Sequence, residues 1–256
     1  MLYNYTIIEG VFLSDSLDPE FVKFRAEKLK DQASDENFLK LTSDWVNASV
    51  KTKYSYGFDW LGVPIIQFPS DLIAFQEIVF KVKPTLIIEC GVARGGSAIF
   101  WASMQHLSGI KPNVIGVDID IRDHAWKAIE GSPYREGIHL IVGDSTEKST
   151  FEKVATLINS SDKIMVILDS NHTHEHVLKE LEIYAELVTI GSYLLVLDTV
   201  IENIPKDATR EWGPGANPQT AVLKYMSGRN SFKNDDSIEQ RIGITVAPKG
   251  YWFRVQ

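Results

Sequence analysis

At 256 residues the chain is long enough for one large α/β domain with a small appendage, rather than two full domains. A net charge of -8 argues against general binding to nucleic acid or to an anionic membrane, both of which need a basic face, so the expected partner is a small molecule. One cysteine, Cys90, excludes an internal disulfide framework, fits a reducing, cytoplasmic setting, and reads as a small buried residue rather than a nucleophile. Residues 1–9 lack the basic start and long apolar run of a signal peptide, and no apolar stretch reaches membrane-spanning length.

The first 55 or so residues differ from the rest. Asp18 and Pro19 open a charged helix reaching about residue 30, and a second runs from Asp35 towards residue 50. Residues 1–55 are therefore expected to form a helical appendage on a main domain of residues 56–256. Residues 54–69 are aromatic and turn-rich, with Tyr54, Tyr56, Phe58, Trp60 and Phe68, and read equally as a substrate mouth or as a packed linker. From Ser70 helices and strands alternate: a helix to about residue 81, strand 85–89, helix 97–107, strand 114–118 and helix 124–130. Strand 138–142 then leads to a helix, capped by Ser145 or Thr146, that runs to about residue 158. Strand 163–168, a helix with the apolar stripe Val177, Leu181, Tyr184 and Val188, and strand 193–197 follow. After an irregular stretch at 202–218 and a helix at 220–227, strands 242–246 and 251–255 read as a hairpin joined through Pro248, Lys249 and Gly250. The pattern predicts an α/β fold: a doubly wound, mostly parallel sheet with helices on both faces and a C-terminal antiparallel hairpin.

The turn after the first sheet strand is the most informative feature. Leu86, Ile87 and Ile88 read as a strand buried on both faces, while Gly91, Gly95 and Gly96 let the chain turn sharply into the next helix and approach a ligand closely. The spacing is Gly-x-x-x-Gly-Gly, not the dinucleotide pattern Gly-x-Gly-x-x-Gly, and Glu89 stands at the strand's tip. A carboxylate there repels a pyrophosphate and attracts a cation. The turn therefore leans towards S-adenosylmethionine (SAM), whose amino group and sulfonium are positive, and away from NAD.

Ligands of such sheets sit beyond the carboxyl ends of the strands, where this chain places Glu89, Asp118, Asp144, Asp169 and Asp198. Each alone fits a helix cap or a solvated turn; five at one level call for positive charge among them. Asp118 is placed to accept bonds from ribose hydroxyls, with Asp120 in reserve, and Asp144 to reach an adenine amino group. Asp169 and Asp198, ending neighbouring strands, offer two hard oxygen ligands suited to Mg2+. His172, three residues past Asp169 at the start of the next helix, is the natural general base. The run from His172 through His174 to His176 also raises a zinc or iron site. On a helix, however, His174 would point away from the other two, and the His-Glu-x-x-His spacing is missing, so His174 and His176 read better as surface residues.

Several blocks, taken in order from Trp60 to the C-terminus, resemble one known family. They are Trp60-Leu-Gly-Val-Pro64, Pro69-Ser-Asp71-Leu72, Glu89-Cys-Gly-Val-Ala-Arg-Gly-Gly-Ser97, Gly116-Val-Asp-Ile-Asp120-Ile-Arg122 and Gly143-Asp-Ser145. Leu168-Asp-Ser-Asn-His172-Thr-His174, Gly191-Ser-Tyr-Leu-Leu-Val-Leu-Asp198-Thr199 and Gly213-Pro-Gly215 continue the series. The family is that of the SAM-dependent methyltransferases grouped with cephalosporin hydroxylase and the macrolide and rhamnosyl sugar O-methyltransferases. The resemblance implies a Rossmann-like class I methyltransferase fold, SAM as methyl donor and a divalent cation, usually magnesium. It implies that Glu89, Gly91, Gly95 and Ser97 hold the methionine part, with Arg94 and Gly96 of the same turn among the cofactor contacts. Asp118 would hold the ribose, Asp144 and Ser145 the adenine side, Asp169 and Asp198 the metal, and His172 would be the base.

One position departs from that family, which commonly has a Glu-Asp pair where this chain has Leu197-Asp198. Either the metal site is weakened, or Glu202 or water takes the missing role, or the protein binds SAM without this chemistry. The expected activity is Mg2+-assisted methylation of a hydroxyl on a sugar or glycosylated small molecule, with no nucleic-acid or membrane partner and with a homo-oligomer left open. Its rivals are a metal-dependent hydroxylase, which needs two histidines and one carboxylate, and a non-catalytic SAM-binding subunit. Acceptor choice is expected to lie in residues 54–68 and 202–218, where Arg210, Glu211 and Trp212 can meet a polar ring.

Overall fold

The computed structural model describes residues 5–8, 11–14 and 18–256. A short antiparallel pair, β1 (Tyr5–Ile8) and β2 (Val11–Ser14), precedes two helices. The expectation that residues 1–9 carry no leader falls largely outside the described residues. Helix α1 (Pro19–Ser34) starts where the Asp18 side chain accepts from the Glu20 amide, and α2 (Glu36–Thr52) where Asp35 does the same for Asn37 and Phe38. A 3₁₀ turn then leads into the hairpin of β3 (Phe58–Trp60) and β4 (Val63–Ile65). Part of this aromatic segment is packed, while Tyr56 and Leu61 are exposed. Trp60 Nε1 donates to Ser103 at 3.0 Å while its ring meets Phe100 edge-on, and Tyr54 and Phe68 close on Trp45.

The alternating part comprises α3 (Pro69–Val82), β5 (Leu86–Cys90), α4 (Gly96–Leu107), β6 (Val114–Asp118), α5 (Asp123–Glu130), β7 (Ile138–Val142) and α6 (Lys148–Ala155). It continues through β8 (Ile164–Leu168), α7 (His174–Tyr184), β9 (Tyr193–Val196), α8 (Pro218–Met226), β10 (Phe232–Asn234), α9 (Asp236–Ile242) and β11 (Tyr251–Arg254). Seven strands form one sheet in the order β10-β11-β9-β8-β5-β6-β7, and β11 runs against its neighbours β9 and β10. Its two faces explain the apolar strand sequences: Ile87 packs into a core with α3 and α4, while Leu86, Ile88 and Cys90 pack into a second core with α7 and α8. No helix among the described residues is long and apolar enough to cross a membrane.

Two local expectations are corrected. Residues 242–246 do not form a strand: α9 ends at Gly243, and the next residues are captured by Asp71 of α3. Asp71 accepts from Thr245 Oγ1 at 2.5 Å, from Tyr251 OH at 2.8 Å and from the Val246 amide at 2.9 Å. The antiparallel partner at the C-terminus is instead β10, joined to β11 through α9. Helix α6 starts at Lys148 after an uncapped Glu147, so neither Ser145 nor Thr146 caps it.

Candidate active site

Strand order turns about β5, with β6 on one side and β8 on the other, which opens a crevice at the carboxyl ends of these strands. Leu168 stands level with Cys90 and with Val196, so the residues that follow β8 and β9 emerge side by side. One ligand atom each from Asp169, His172 and Asp198 lies within 4.8 Å of the others, and His172 Nε2 is 3.1 Å from Asp198 Oδ2. Asp198 adopts a left-handed conformation with φ of 54°. Its neighbours hold it there: Leu197 N bonds the Leu168 carbonyl, Thr199 Oγ1 the Pro248 carbonyl and Val200 N the Val246 carbonyl. Burial, together with the charges of Asp198, Glu89, Glu180 and Asp71, pushes the Asp169 carboxyl well above the usual range. A cation bound there would relieve this.

His172 precedes α7 instead of lying in it, since the helix begins at His174 with Thr173 as N-cap. It therefore shares no helical face with His176. The Trp212 ring stands perpendicular to the His172 imidazole at 5.0 Å between centroids, and the Arg210 guanidinium lies 5.1 Å from the Trp212 ring. Trp212, from the irregular stretch at 202–218, thus packs against the imidazole.

Gln67 was not anticipated. It is 5% exposed, donates from Nε2 to Asp169 Oδ2 at 3.1 Å, and leaves its Oε1 without a partner. Its only signal in the sequence is a lone amide in the apolar run before Pro69. Leu197, where the resembling family commonly has a glutamate, is 2% exposed and belongs to the apolar core with Val200, Val246 and Tyr251. Glu202 lies outside the cluster of Asp169, His172 and Asp198. Its Oε2 accepts from the Gly215 amide at 2.8 Å and from Asn217 Nδ2 at 2.5 Å, closing residues 203–214 into a loop at its base. Among the described residues the metal-competent cluster holds one histidine and two carboxylates, not the two histidines and one carboxylate a hydroxylase triad requires.

The glycine turn is shaped first by the protein itself. Gly91, at φ of 102°, lies where any Cβ would overlap the Asp169 carbonyl, and a Cβ on Gly96 would meet the Pro64 carbonyl. Gly96 therefore admits the β3–β4 hairpin rather than a ligand. Gly95 is the N-cap of α4, and Ser97 lies in that helix's first turn. Glu89 is 1% exposed; its Oε1 accepts from Trp101 Nε1 at 2.8 Å and its Oε2 has no partner. Burial raises this carboxyl to about 7, with Trp101 and Ser97 pulling the other way. Asp118 Oδ2 accepts from the amides of Val92 and Ala93 at 2.8 and 3.0 Å, and Oδ1 from the Asp120 amide, so it braces the turn while about one of its four lone-pair sites stays available. Asp120 is exposed and paired with Arg122, and Arg94 is exposed beside His124 at 3.3 Å. Asp144 folds onto the amide and hydroxyl of Thr146.

The hydroxyl of Ser145 points inward to the buried Glu180 of α7, as does that of Ser170. His176 joins this cluster and His174 Nδ1 bonds Thr220 Oγ1 at 2.8 Å, so both histidines are tied into the fold.

This strand order, with the acidic strand ends around a glycine turn, is the class I methyltransferase fold. Consistent with it, a solved structure of CmcI with magnesium and SAM aligns at a TM-score of 0.59 and 21% identity, covering 78% of both chains. The rhamnosyl O-methyltransferase of Mycobacterium tuberculosis is 34% identical over 208 residues, covering 80% of each chain. That of Mycobacterium leprae is 31% identical over 197 residues, 76% of this chain and 82% of its own. A family model described as rhamnosyl O-methyltransferase/CmcI matches residues 52–255. The chain belongs to that family, and is an O-methyltransferase.

Proposed function

We propose that the protein transfers the methyl group of SAM to a hydroxyl of a sugar or glycosylated small molecule. The observation that carries this is the meeting of Asp169, His172 and Asp198 at the ends of β8 and β9, in a chain related to rhamnosyl O-methyltransferases. Two features fit the groups the reaction needs. The partnerless Oε2 of Glu89 is an acceptor suited to the amino group of SAM, and two crowded carboxylates suit a hard divalent cation.

When bound, SAM supplies a methyl carbon activated by its sulfonium, and Mg2+ supplies positive charge beside the acceptor hydroxyl. Glu89 holds the amino group, with Gly91, Gly95 and Ser97 around the methionine part and Arg94 and Gly96 in the same turn. Asp118 takes the ribose, with Asp120 in reserve; Asp144 and Ser145 border the adenine. Asp169 and Asp198 hold the cation, and Gln67 fixes the Asp169 carboxylate through its 3.1 Å bond. His172 accepts the proton of the attacking hydroxyl at Nδ1, while its Nε2–H donates to the Asp198 carboxylate 3.1 Å away, which orients the ring. Trp212 packs against the imidazole with the Arg210 guanidinium over its ring, and the pair offers a cation and an aromatic face to a sugar ring. The free, buried thiol of Cys90 suits a cytoplasmic setting.

A thermal-shift screen of SAM, its demethylated product S-adenosylhomocysteine (SAH) and NAD, each with and without Mg2+, tests the reading. Stabilisation by SAM and SAH but not NAD is expected; stabilisation by NAD alone would overturn it.

A further inference from the structure

We propose that Glu180 sets the base specificity of the SAM pocket by dictating which way two serine hydroxyls point. The inference rests on the reading of the chain as SAM-binding, with the residues after β7 beside the adenine. Glu180 lies one helical turn beyond His176 and one before Tyr184, on the face of α7 turned to the sheet, and is fully buried. Its Oε1 accepts from Ser145 Oγ at 2.5 Å and from Ser170 Oγ at 2.6 Å. Ser145 follows β7 and Ser170 follows β8, two strands separated in the sheet by β5 and β6. One carboxylate oxygen thus ties together the loops on either side of the crevice.

The protons in this cluster can be assigned. With Glu180 ionised its carboxylate only accepts, so each serine commits its single hydroxyl proton inward. His176 Nε2 lies 3.1 Å from Ser145 Oγ, 3.2 Å from Ser170 Oγ and 3.4 Å from Glu180 Oε1. With both hydroxyl protons spent on Glu180, Nε2 carries the hydrogen and donates. Tyr184 OH donates to the Ser145 carbonyl at 3.0 Å and fixes that loop's backbone. Each serine oxygen is left with lone pairs and no proton to offer.

A wall of acceptors selects a donor. The 6-amino group of adenine gives such a wall its hydrogens, whereas the 6-oxo group of a deaminated base would set lone pair against lone pair. Glu180 therefore acts as a specificity-determining residue through the serines, without touching the ligand.

Calorimetric titration of SAH and its deaminated analogue S-inosylhomocysteine, against the wild type and Glu180→Gln, tests this. The wild type is expected to bind the inosyl compound about 100-fold more weakly than SAH, as befits a site built around one polar group. In Glu180→Gln the amide can donate to the serine oxygens and free their protons, so the ratio should fall below about tenfold. Near-equal affinities in the wild type, or an undiminished ratio in the variant, would overturn the proposal. Should Glu180→Gln fail to fold, the double variant Ser145→Ala/Ser170→Ala must lose the discrimination, and its retention would overturn the proposal equally. A wild type that binds neither compound would instead bring down the SAM reading beneath it.

Discussion

His172 Nε2 and Asp198 Oδ2, brought from the ends of two different strands, stand 3.1 Å apart with the Trp212 ring set against the imidazole. If His172 is the base we propose, it acts on the acceptor and not on the cofactor. His172→Ala should lower kcat by about 10²- to 10⁴-fold, the usual worth of a positioned general base. SAH affinity by calorimetry should be nearly unchanged; a large loss would make His172 a cofactor-binding or structural residue.

The burial of Asp169 and the carboxylates around it favour a cation in this cluster. EDTA should suppress turnover and Mg2+ restore it, and Mg2+ should raise the melting temperature of the wild type but not of Asp169→Asn or Asp198→Asn. Full activity in EDTA would remove Asp198 from the mechanism as a ligand.

Leu197, where the family resemblance leads one to expect a glutamate, occupies the core. Leu197→Glu should melt at lower temperature without metal, because a carboxyl is buried among apolar groups, and should show a larger Mg2+-induced shift than the wild type. Loss of stability with no larger shift would mean that position 197 faces away from the cation.

Glu89 links ligand binding to pH. Its folded value of about 7 stands above the ordinary 4.5, so between these values the folded form holds a proton that the unfolded chain has released. Stability of the ligand-free protein should therefore fall as pH rises from about 4.5 to about 7. On the proposed contact the positive amino group of SAH requires the ionised Glu89 carboxylate, so SAH affinity should rise over pH 6 to 8, with proton release visible as a buffer dependence of the calorimetric enthalpy. In Glu89→Gln both effects should vanish; their persistence would assign them to another group.

Much of this was legible in the sequence because strand ends are local events. The runs 114–118 and 138–142 are apolar, β-branched and bounded by turn residues, and both are strands with those limits. Asp169 and Asp198 could be placed together because strand register carries them there. What failed depended on distant partners. Residues 242–246 carry a strand-like apolar pattern, yet the contact that decides their backbone comes from Asp71, 174 positions away from Thr245. Residues 232–234 form an edge strand too short to leave a periodic signal. Glu180 could not be told from Glu175 or Glu182 of the same helix, since its burial depends on serines from two other loops. Gln67 escaped notice for the same reason: its partner lies 102 residues on.

The closure at Glu202 has a broader implication. Because Gly215 and Asn217 fasten the span from 203 to 214 at a single point, the proposed reading makes that span an interchangeable cassette above a constant reaction centre. On that reading, rewriting about a dozen positions there should retarget the enzyme to a new acceptor while the machinery beneath stays untouched.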